Sequence, residues 1–263
     1  MSASPLVVVH RDAALLAASV AARLVTRLVD AQAARGTAHV VLTGGSVGTA
    51  VLASLAESPA RDAVSWPDVH VWWGDERFLP AGHPDRNETQ AREALLDGLR
   101  LDPAHVHPMG ASDQAPHVDV DAAAERYAEE LARVARAEGT SRDDVPAFDV
   151  LLLGVGPDAH IASLFPEMAG IHEADRTVVG VHGSPKPPPL RVSLTLPAIN
   201  RAEEVWLVAA GAEKADAIGL ALSGAGPVQA PAGAAGGRRA TVWLLDRAAA
   251  QRVPPALIRL SSP

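Results

Sequence analysis

The sequence predicts an α/β fold: a doubly wound, mostly parallel, Rossmann-like sheet with helices on both faces. Two observations predict it. Strand-like apolar runs alternate with helix-like stretches along the chain. Most of these runs are continuous rather than alternating with polar residues, which is typical of parallel strands covered on both faces. In such a sheet, ligands bind at the carboxyl ends of the strands.

The pattern also places the individual elements. Seven apolar runs predict strands over residues 6–9, 38–42, 69–73, 148–155, 178–181, 205–209 and 241–245. Helices are predicted over 11–35, 87–99, 121–138 and 212–223, and in the first of these Leu16, Val20, Leu24 and Leu28 recur every four residues. The proline-rich stretch 184–189 and the Gly/Ala/Pro-rich stretch 225–239 predict loops. No internal repeat or linker stands out, which predicts a single domain over residues 1–263.

Composition excludes several classes of function. The formal charge is −8 and no basic block stands out, which argues against a nucleic-acid or membrane partner. The absence of cysteine removes disulfides, thiolate metal sites and a cysteine nucleophile, and fits a reducing cytoplasm. The first residues do not resemble a signal peptide, and no stretch approaches the roughly 20 apolar residues of a membrane span.

The segment VVLTGGSVGTA, residues 40–50, carries the first candidate site. A strand ends in Gly44, Gly45 and Ser46, and a helix is predicted to follow. The glycines allow close approach of a ligand, and the free amides of a helix N-terminus suit a phosphate. The alternative is a tight turn without a ligand.

The segment VHVWWGDERFLP, residues 69–80, carries the second. Asp75 and Arg77 follow a predicted strand directly, where an α/β sheet keeps its site. Arg77 could bind a phosphate or carboxylate, and Asp75 could hold a sugar hydroxyl or act in proton transfer. The alternatives are a surface ion cluster and the acidic first turn of a helix.

The segment DVLLLGVGPDAHIASLFP, residues 149–166, gives the sharpest signal. Asp158 and His160 follow a fully apolar strand. A neutral imidazole can take a proton from water, and a carboxylate two residues away can orient it. The alternatives are a structural histidine and an aspartate that caps a helix beginning near Ala159.

Cations and histidines complete the set of candidates. Lys186, one of two lysines in the chain, lies between prolines, and Arg191 follows five residues later. A stiffened cation loses less entropy when it binds an anion; the alternative is a solvated turn. His105 and His107 are flanked by prolines, which predicts a surface loop rather than a metal site.

Together the four segments resemble the compact α/β type of 6-phosphogluconolactonase, in the superfamily that also holds the glucosamine-6-phosphate isomerases or deaminases. The GGS turn, the WWGDERFLP segment, the GVGPDAHIASLFP segment and the SPKPPPLRVSLTLPAIN segment occur in the family's order. The resemblance covers nearly the whole chain. Ala159 stands where the family usually has glycine, which predicts a tighter turn.

The resemblance implies the glucosamine-6-phosphate deaminase-like fold and hydrolysis of 6-phospho-D-glucono-1,5-lactone, without cofactor or metal. It implies that His160 activates water, with Asp158 beside it. Arg77, Lys186, Arg191 and the backbone of Gly44–Ser46 are expected to hold the phosphate. Asp75 is a third catalytic candidate, and backbone N–H groups near Gly156 or Gly45 are candidates for stabilising the oxyanion.

The two rival functions are an amino-sugar phosphate isomerase/deaminase and a non-catalytic sugar-phosphate sensor. The deaminases have a glutamate where this chain has Phe165 and a tyrosine where it has Arg77, which favours the lactonase. A sugar-phosphate sensor domain would need an attached DNA-binding motif, and the first predicted strand begins near residue 6. We expect a cytoplasmic monomer or weak homo-oligomer whose partner is a small sugar-phosphate lactone. We also expect His160 to share one cleft with Arg77 and Lys186, about one hexose away from them.

Overall fold

The computed structural model describes residues 5–114, 119–139 and 144–260, and its centre is a seven-stranded parallel sheet. The sheet order is β10-β1-β9-β8-β5-β2-β3. These strands are β1 (Leu6–His10), β2 (Ala38–Leu42), β3 (Val69–Trp73), β5 (Val150–Gly154), β8 (Glu204–Ala209), β9 (Ala240–Asp246) and β10 (Ile258–Leu260). Neighbours β3 and β5 lie on opposite sides of β2, so the strand order reverses there and opens a crevice at the carboxyl ends.

Helices connect the strands. They are α1 (Ala13–Arg35), α2 (Gly45–Glu57), α3 (Asn87–Ala94), α4 (Val120–Ala137), α5 (Leu196–Ile199), α6 (Ala215–Leu222) and α7 (Pro231–Ala234). The boundaries of α1 follow from capping. Asp12 accepts a hydrogen bond from the Leu15 amide at 2.9 Å, and Gly36 ends the helix with a left-handed φ of 82°.

The two faces of the sheet bury two separate cores. In β2, Val41 belongs to one core with α4 and α6, whereas Val40 and Leu42 belong to the other with α1 and α2. Successive side chains of a strand point to opposite faces, so a continuous apolar run is what a doubly covered strand requires. The prediction of a parallel sheet with helices on both faces is confirmed.

A second, three-stranded antiparallel sheet lies beside the main one. Its order is β4-β7-β6, with β4 (Asp75–Arg77), β6 (Val178–Val181) and β7 (Arg191–Leu194). The run 178–181 is therefore a strand as predicted, but its placement with the parallel strands is wrong. A short apolar run is the same in both settings, so the sequence does not reveal its partner. Residue Arg77 pairs with Arg191 in this sheet.

All seven predicted strands occur, and the five predicted helices occur with shifted ends. Helix 87–99 ends at Ala94 and is followed by a 3₁₀ turn, and the predicted loop 225–239 contains the four-residue α7. Among the described residues, no helix is both long and apolar enough to span a bilayer.

Candidate active site

A cavity of about 330 Å³ opens at the carboxyl ends of the main strands. Loops after β2, β3, β5 and β8 line it, together with the proline-rich loop before β7. The lining residues are Thr43, Gly44, Gly45, Asp75, Arg77, Asn87, Gly154, Val155, Gly156, His160, Ala162, Lys186, Pro187, Arg191 and Lys214. Seven of the nine predicted site residues are among them, and these seven are up to 147 positions apart in the sequence.

His160 and Asp158 form a hydrogen-bonded pair at this cavity. The distance from His160 Nδ1 to Asp158 Oδ1 is 2.5 Å, and the imidazole side chain is 15% exposed. Partial burial alone would raise the pKa of Asp158, but the hydrogen bond from His160 and the charges of His160 and Lys186 hold it well below its usual range. An ionised carboxylate accepts hydrogen bonds, so the His160 proton lies on Nδ1 and the lone pair lies on Nε2.

A tight turn sets this pair. The Gly156 amide donates to the His160 carbonyl at 2.9 Å, and a Cβ at Gly156 would lie 1.9 Å from His160 Nδ1. Gly156 is therefore required for the imidazole to lie where it does. Because the amide of Gly156 is used in this turn, it is not free to stabilise an oxyanion, and the expectation that a backbone N–H group near Gly156 or Gly45 does so stays a prediction. Ala159 is fully buried with a left-handed φ of 65°, a conformation that glycine adopts more easily.

Lys186 extends the pair into a charged triad. Its Nζ lies 3.2 Å from Asp158 Oδ1 and 3.2 Å from His160 Nδ1. The expected separation of about one hexose between this cation and the imidazole is therefore wrong. Because the Nδ1 proton points to Asp158, the ammonium donates to the carboxylate and not to the ring.

Asp75 is buried and fully engaged in hydrogen bonds. Its Oδ2 accepts from Ser163 Oγ at 2.7 Å, and its Oδ1 accepts from Asn87 Nδ2 at 3.3 Å. A guanidinium nitrogen of Arg191 lies 3.9 Å from Oδ2. Asp75 thus ties together side chains from α3, β7 and the loop after β5.

Arg77 and Ser46 lie toward a second cleft that opens beside the cavity. This cleft has a volume of about 830 Å³ and shares Gly45 and Arg77 with the cavity. Ser46 lines the cleft but not the cavity. Arg77 donates to the Asp85 carbonyl at 2.5 Å, and its buried Nε has no partner among the described residues. Gly44 caps α2 without a side-chain hydrogen bond, and Gly44 and Gly45 line the cavity, so within the described part of the chain the first amides of this helix are left for a ligand.

Arg191 has a bracing role that the sequence did not show. Its guanidinium donates to the carbonyls of Lys186, Pro187 and Pro188 at 3.1, 2.9 and 3.3 Å. It also lies 5.8 Å from the centre of the Phe165 ring. Arg191 therefore holds the proline-rich loop that presents Lys186.

Sequence reasoning missed three residues of the site: Lys214, Asn87 and Ser163. Lys214 is the second of the chain's two lysines, and that scarcity was a signal. Burial and then the positive charge of Lys186 lower the pKa of Lys214. Asn87 and Ser163 gave no comparable signal, because both are common polar residues outside a recognised spacing.

For two segments, the alternative that the residues begin or cap a helix is wrong. Asp158 lies in a turn without a following helix, and residues 75–77 form a strand rather than a helix start. His107 does not lie in a surface loop. It is buried and bonded to His70 Nδ1 at 3.0 Å and to Glu130 at 2.8 Å, while the His105 ring stacks on His70 at 3.9 Å.

One group of described residues, His39, His70 and Glu138, has the composition of a metal site. The two imidazoles are stacked at 4.3 Å with planes 6° apart. Lone pairs of parallel stacked rings cannot converge on one ion about 2 Å from each nitrogen. Trp72 Nε1 and Glu138 also occupy the two nitrogens of His39, at 3.1 and 2.6 Å. The geometry of this cluster does not suit a metal.

Comparison with known proteins identifies the family. A family model described as glucosamine-6-phosphate isomerases/6-phosphogluconolactonase matches residues 11–243. The chain belongs to the glucosamine-6-phosphate isomerase/6-phosphogluconolactonase family. A 6-phosphogluconolactonase of Streptomyces coelicolor is 62% identical over 257 residues, covering 98% of both chains. A 6-phosphogluconolactonase of Mycobacterium tuberculosis is 49% identical, covering 92% of this chain and 96% of that protein.

Solved structures agree with this family assignment. The 6-phosphogluconolactonase of Trypanosoma brucei is 28% identical with a TM-score of 0.79, covering 95% of this chain and 99% of its own. A monomeric glucosamine-6-phosphate deaminase is 19% identical with a TM-score of 0.73, which shows the shared fold alone. The predicted fold and family are confirmed.

Proposed function

We propose that this chain hydrolyses 6-phospho-D-glucono-1,5-lactone to 6-phospho-D-gluconate in the pentose phosphate pathway. The proposal rests on the agreement between the family of the chain and the geometry of its cavity. Relatives that match the whole chain are 6-phosphogluconolactonases, and the cavity brings an oriented imidazole together with several cations. A lactone with a phosphate needs both.

His160 is the general base of this mechanism. With its proton on Nδ1 and donated to Asp158, Nε2 takes a proton from water as the water attacks the lactone carbonyl. The carbonyl becomes an oxyanion, and its collapse breaks the ring C–O bond. The His160 imidazolium returns its proton to the leaving ring oxygen, which becomes a hydroxyl, and the new carboxylic acid loses its own proton to solvent. Asp158 keeps the tautomer and stabilises the imidazolium. Asp75 orients Asn87 and Ser163 at the edge of the cavity.

Cations and free amides hold the phosphate. Lys186 and Lys214 repel each other, and a dianion bound between them relieves that repulsion. Arg77 supplies its unpaired Nε, and Gly44, Gly45 and Ser46 supply the N-terminus of α2. Arg191 acts mainly by bracing the Lys186 loop. Holding the phosphate at these groups fixes the lactone carbonyl beside His160.

Phe165 argues against the deaminase reaction. Its ring packs 4.5 Å from the His160 ring, at the position where the deaminases were expected to have a glutamate. A phenyl ring neither accepts nor donates a proton.

We further propose that the protein is a cytoplasmic monomer or weak homo-oligomer that needs no cofactor, with residues 1–263 as one domain. The single domain is supported by the main sheet, which joins strands from near both ends of the chain.

A pH-stat assay tests the proposal. Freshly prepared 6-phosphogluconolactone should be hydrolysed well above its spontaneous rate, with no loss of rate in EDTA. Glucosamine 6-phosphate, the competing candidate, should release no ammonia. Deamination, or a lactone rate no greater than the spontaneous one, would contradict the proposal.

A further inference from the structure

Asn87 lies in the cavity without a role in the mechanism above. It is the first residue of α3 and is 3% exposed. Its backbone amide donates to Glu76 Oε1 at 2.7 Å. Its side-chain Nδ2 donates to the Asp75 carbonyl oxygen at 2.8 Å and to Asp75 Oδ1 at 3.3 Å. The backbone N–H and the side-chain NH₂ group of Asn87 are therefore both hydrogen-bonded.

The Oδ1 atom of Asn87 is different. It is buried and has no hydrogen-bond partner among the described residues. Turning the amide over would put its oxygen against two oxygens of Asp75, both acceptors, so the orientation is fixed by Asp75. A buried acceptor left unpaired costs about 1–3 kcal/mol. Such an atom in a cavity that binds substrate calls for a donor on the ligand.

The sequence around the site leaves room for this oxygen. A Cβ at Gly44 would lie 1.8 Å from Asn87 Oδ1 and 2.3 Å from Cγ. Glycine at position 44 therefore does more than free the helix amides. It leaves space for the carboxamide beside Gly44, and both residues line the cavity that His160 and Lys186 also line.

We propose that Asn87 is a specificity-determining residue whose Oδ1 accepts a hydrogen bond from a ring hydroxyl of the lactone. This rests on the proposed function. The phosphate dianion, the lactone carbonyl and the ring oxygen of that substrate are all acceptors. The hydroxyls on C2, C3 and C4 are its donors. An orphan acceptor consequently selects a hydroxyl and cannot serve the phosphate.

The experiment compares lactones that lack one hydroxyl. Wild-type enzyme is assayed on 6-phosphogluconolactone and on its 2-deoxy, 3-deoxy and 4-deoxy analogues. We expect one deletion to lower kcat/KM by roughly 5–150-fold, the equivalent of the 1–3 kcal/mol of one unpaired buried group. In Asn87→Ala that preference should fall below about threefold, while preferences at the other two positions remain.

A matched control separates recognition from scaffolding. Ser163→Ala removes the other side-chain donor to Asp75 and leaves Asn87 Oδ1 in place. It should lower rates on all lactones alike and keep the preference for the hydroxyl. If Asn87→Ala lowers all four rates equally, Asn87 is structural and the proposal is overturned.

The wild-type series is decisive even if the variant does not fold. If no single hydroxyl deletion lowers kcat/KM by more than threefold, no hydroxyl meets the buried oxygen, and the proposal is overturned. Failure of the proposed function is distinguished at the first step, because the wild type would then not hydrolyse the intact lactone at all.

Discussion

The direction of proton transfer is set by three side chains. Asp158 is held ionised by His160 and Lys186, so it fixes the His160 proton on Nδ1. Nε2 is then the basic atom. A lactone ester is reactive enough that one positioned base, typically worth 10²–10⁴-fold, accounts for a large part of the catalysis.

Removing the imidazole tests this assignment. His160→Ala should lower kcat by about 10²–10⁴-fold, because no other group takes the proton from water. Binding of 6-phosphogluconate, measured by titration calorimetry, should weaken by less than tenfold, because the cations remain. Unchanged turnover would remove His160 from the mechanism.

Lys214 should recognise the phosphate. Lys214→Met should raise KM for the phosphorylated lactone by roughly 10–100-fold, since a hydrogen bond to a charged group contributes about 1.5–3 kcal/mol. Hydrolysis of unphosphorylated glucono-1,5-lactone should change by less than threefold. The control Arg247→Met removes the same charge from an exposed position. Equal losses on both lactones would show that Lys214 does not bind phosphate.

Some of these residues were predictable from sequence and some were not. Asp158, His160, Asp75 and Arg77 follow apolar strands directly, so their position at one edge follows from the parallel sheet. Asn87 comes from a helix that begins ten residues after β4, and nothing local marks its buried oxygen. The position of this oxygen depends on contacts among Gly44, Asp75 and Asn87, which lie in three separate segments, and a single sequence does not show which segments meet.

At the scale of elements, the turn that carries His160 requires glycine at position 156 because of space rather than backbone conformation. Gly156→Ala places a methyl group on His160 Nδ1 and within 2.5 Å of Asp158 Oδ1. Both contacts are with side chains, which can move. We expect folding to be retained, with Tm within a few degrees, and kcat to fall at least tenfold because the imidazole is displaced.

Gly36→Ala is the matched control for that variant. Gly36 ends α1 with φ 82° and has open space around its Cβ position. Alanine there should cost about 1 kcal/mol of folding free energy with unchanged kcat. The two substitutions should therefore differ in effect: Gly156→Ala lowers activity, and Gly36→Ala lowers stability. A Gly156→Ala enzyme with full activity would show that the turn does not position His160.

Elements that are specified by burial were predictable from the sequence, whereas short strands that depend on pairing were not. The long apolar strands and the amphipathic helices are specified by burial on a face, so their pattern is legible. Strands β4 and β7 begin with charged residues, and β4 has just three. Their strand character comes from pairing with each other across more than 100 residues, which local pattern does not encode.

At the scale of the whole molecule, the two edges of the sheet hold different ionisable groups. The carboxyl edge gathers cations for an anionic substrate. Near the amino edge, His39 and His70 are paired in the second position of β2 and β3, and the His70 ring stacks with the rings of His39, His105 and His107. Burial lowers the pKa of His70 to about 3, and burial, opposed by Glu130, lowers that of His107 to about 4.

These neutral histidines should make stability depend on pH. Between pH 6.5 and about 4 the unfolded chain takes up protons at His70 and His107 that the folded protein excludes. The free energy of unfolding should therefore fall as the pH drops below 6.5, by up to about 1.4 kcal/mol per pH unit for each histidine, and stay level above it. Glu76 acts in the opposite sense, because burial raises its pKa to about 7 and acid relieves the cost of its charge.

A difference between variants isolates the histidines from Glu76. Urea unfolding of the wild type and of His70→Phe is measured at pH 7.5, 6.5, 5.5 and 5.0, a range above the titration of ordinary carboxylates. The phenyl ring keeps the stacking but binds no proton. The stability of His70→Phe relative to wild type should therefore improve by about 1 kcal/mol or more between pH 6.5 and 5.0. His182→Gln, at an exposed histidine, should give no such trend. Parallel curves for the wild type and His70→Phe would mean that His70 is protonated in the folded protein, because only a histidine that stays neutral there penalises folding in acid.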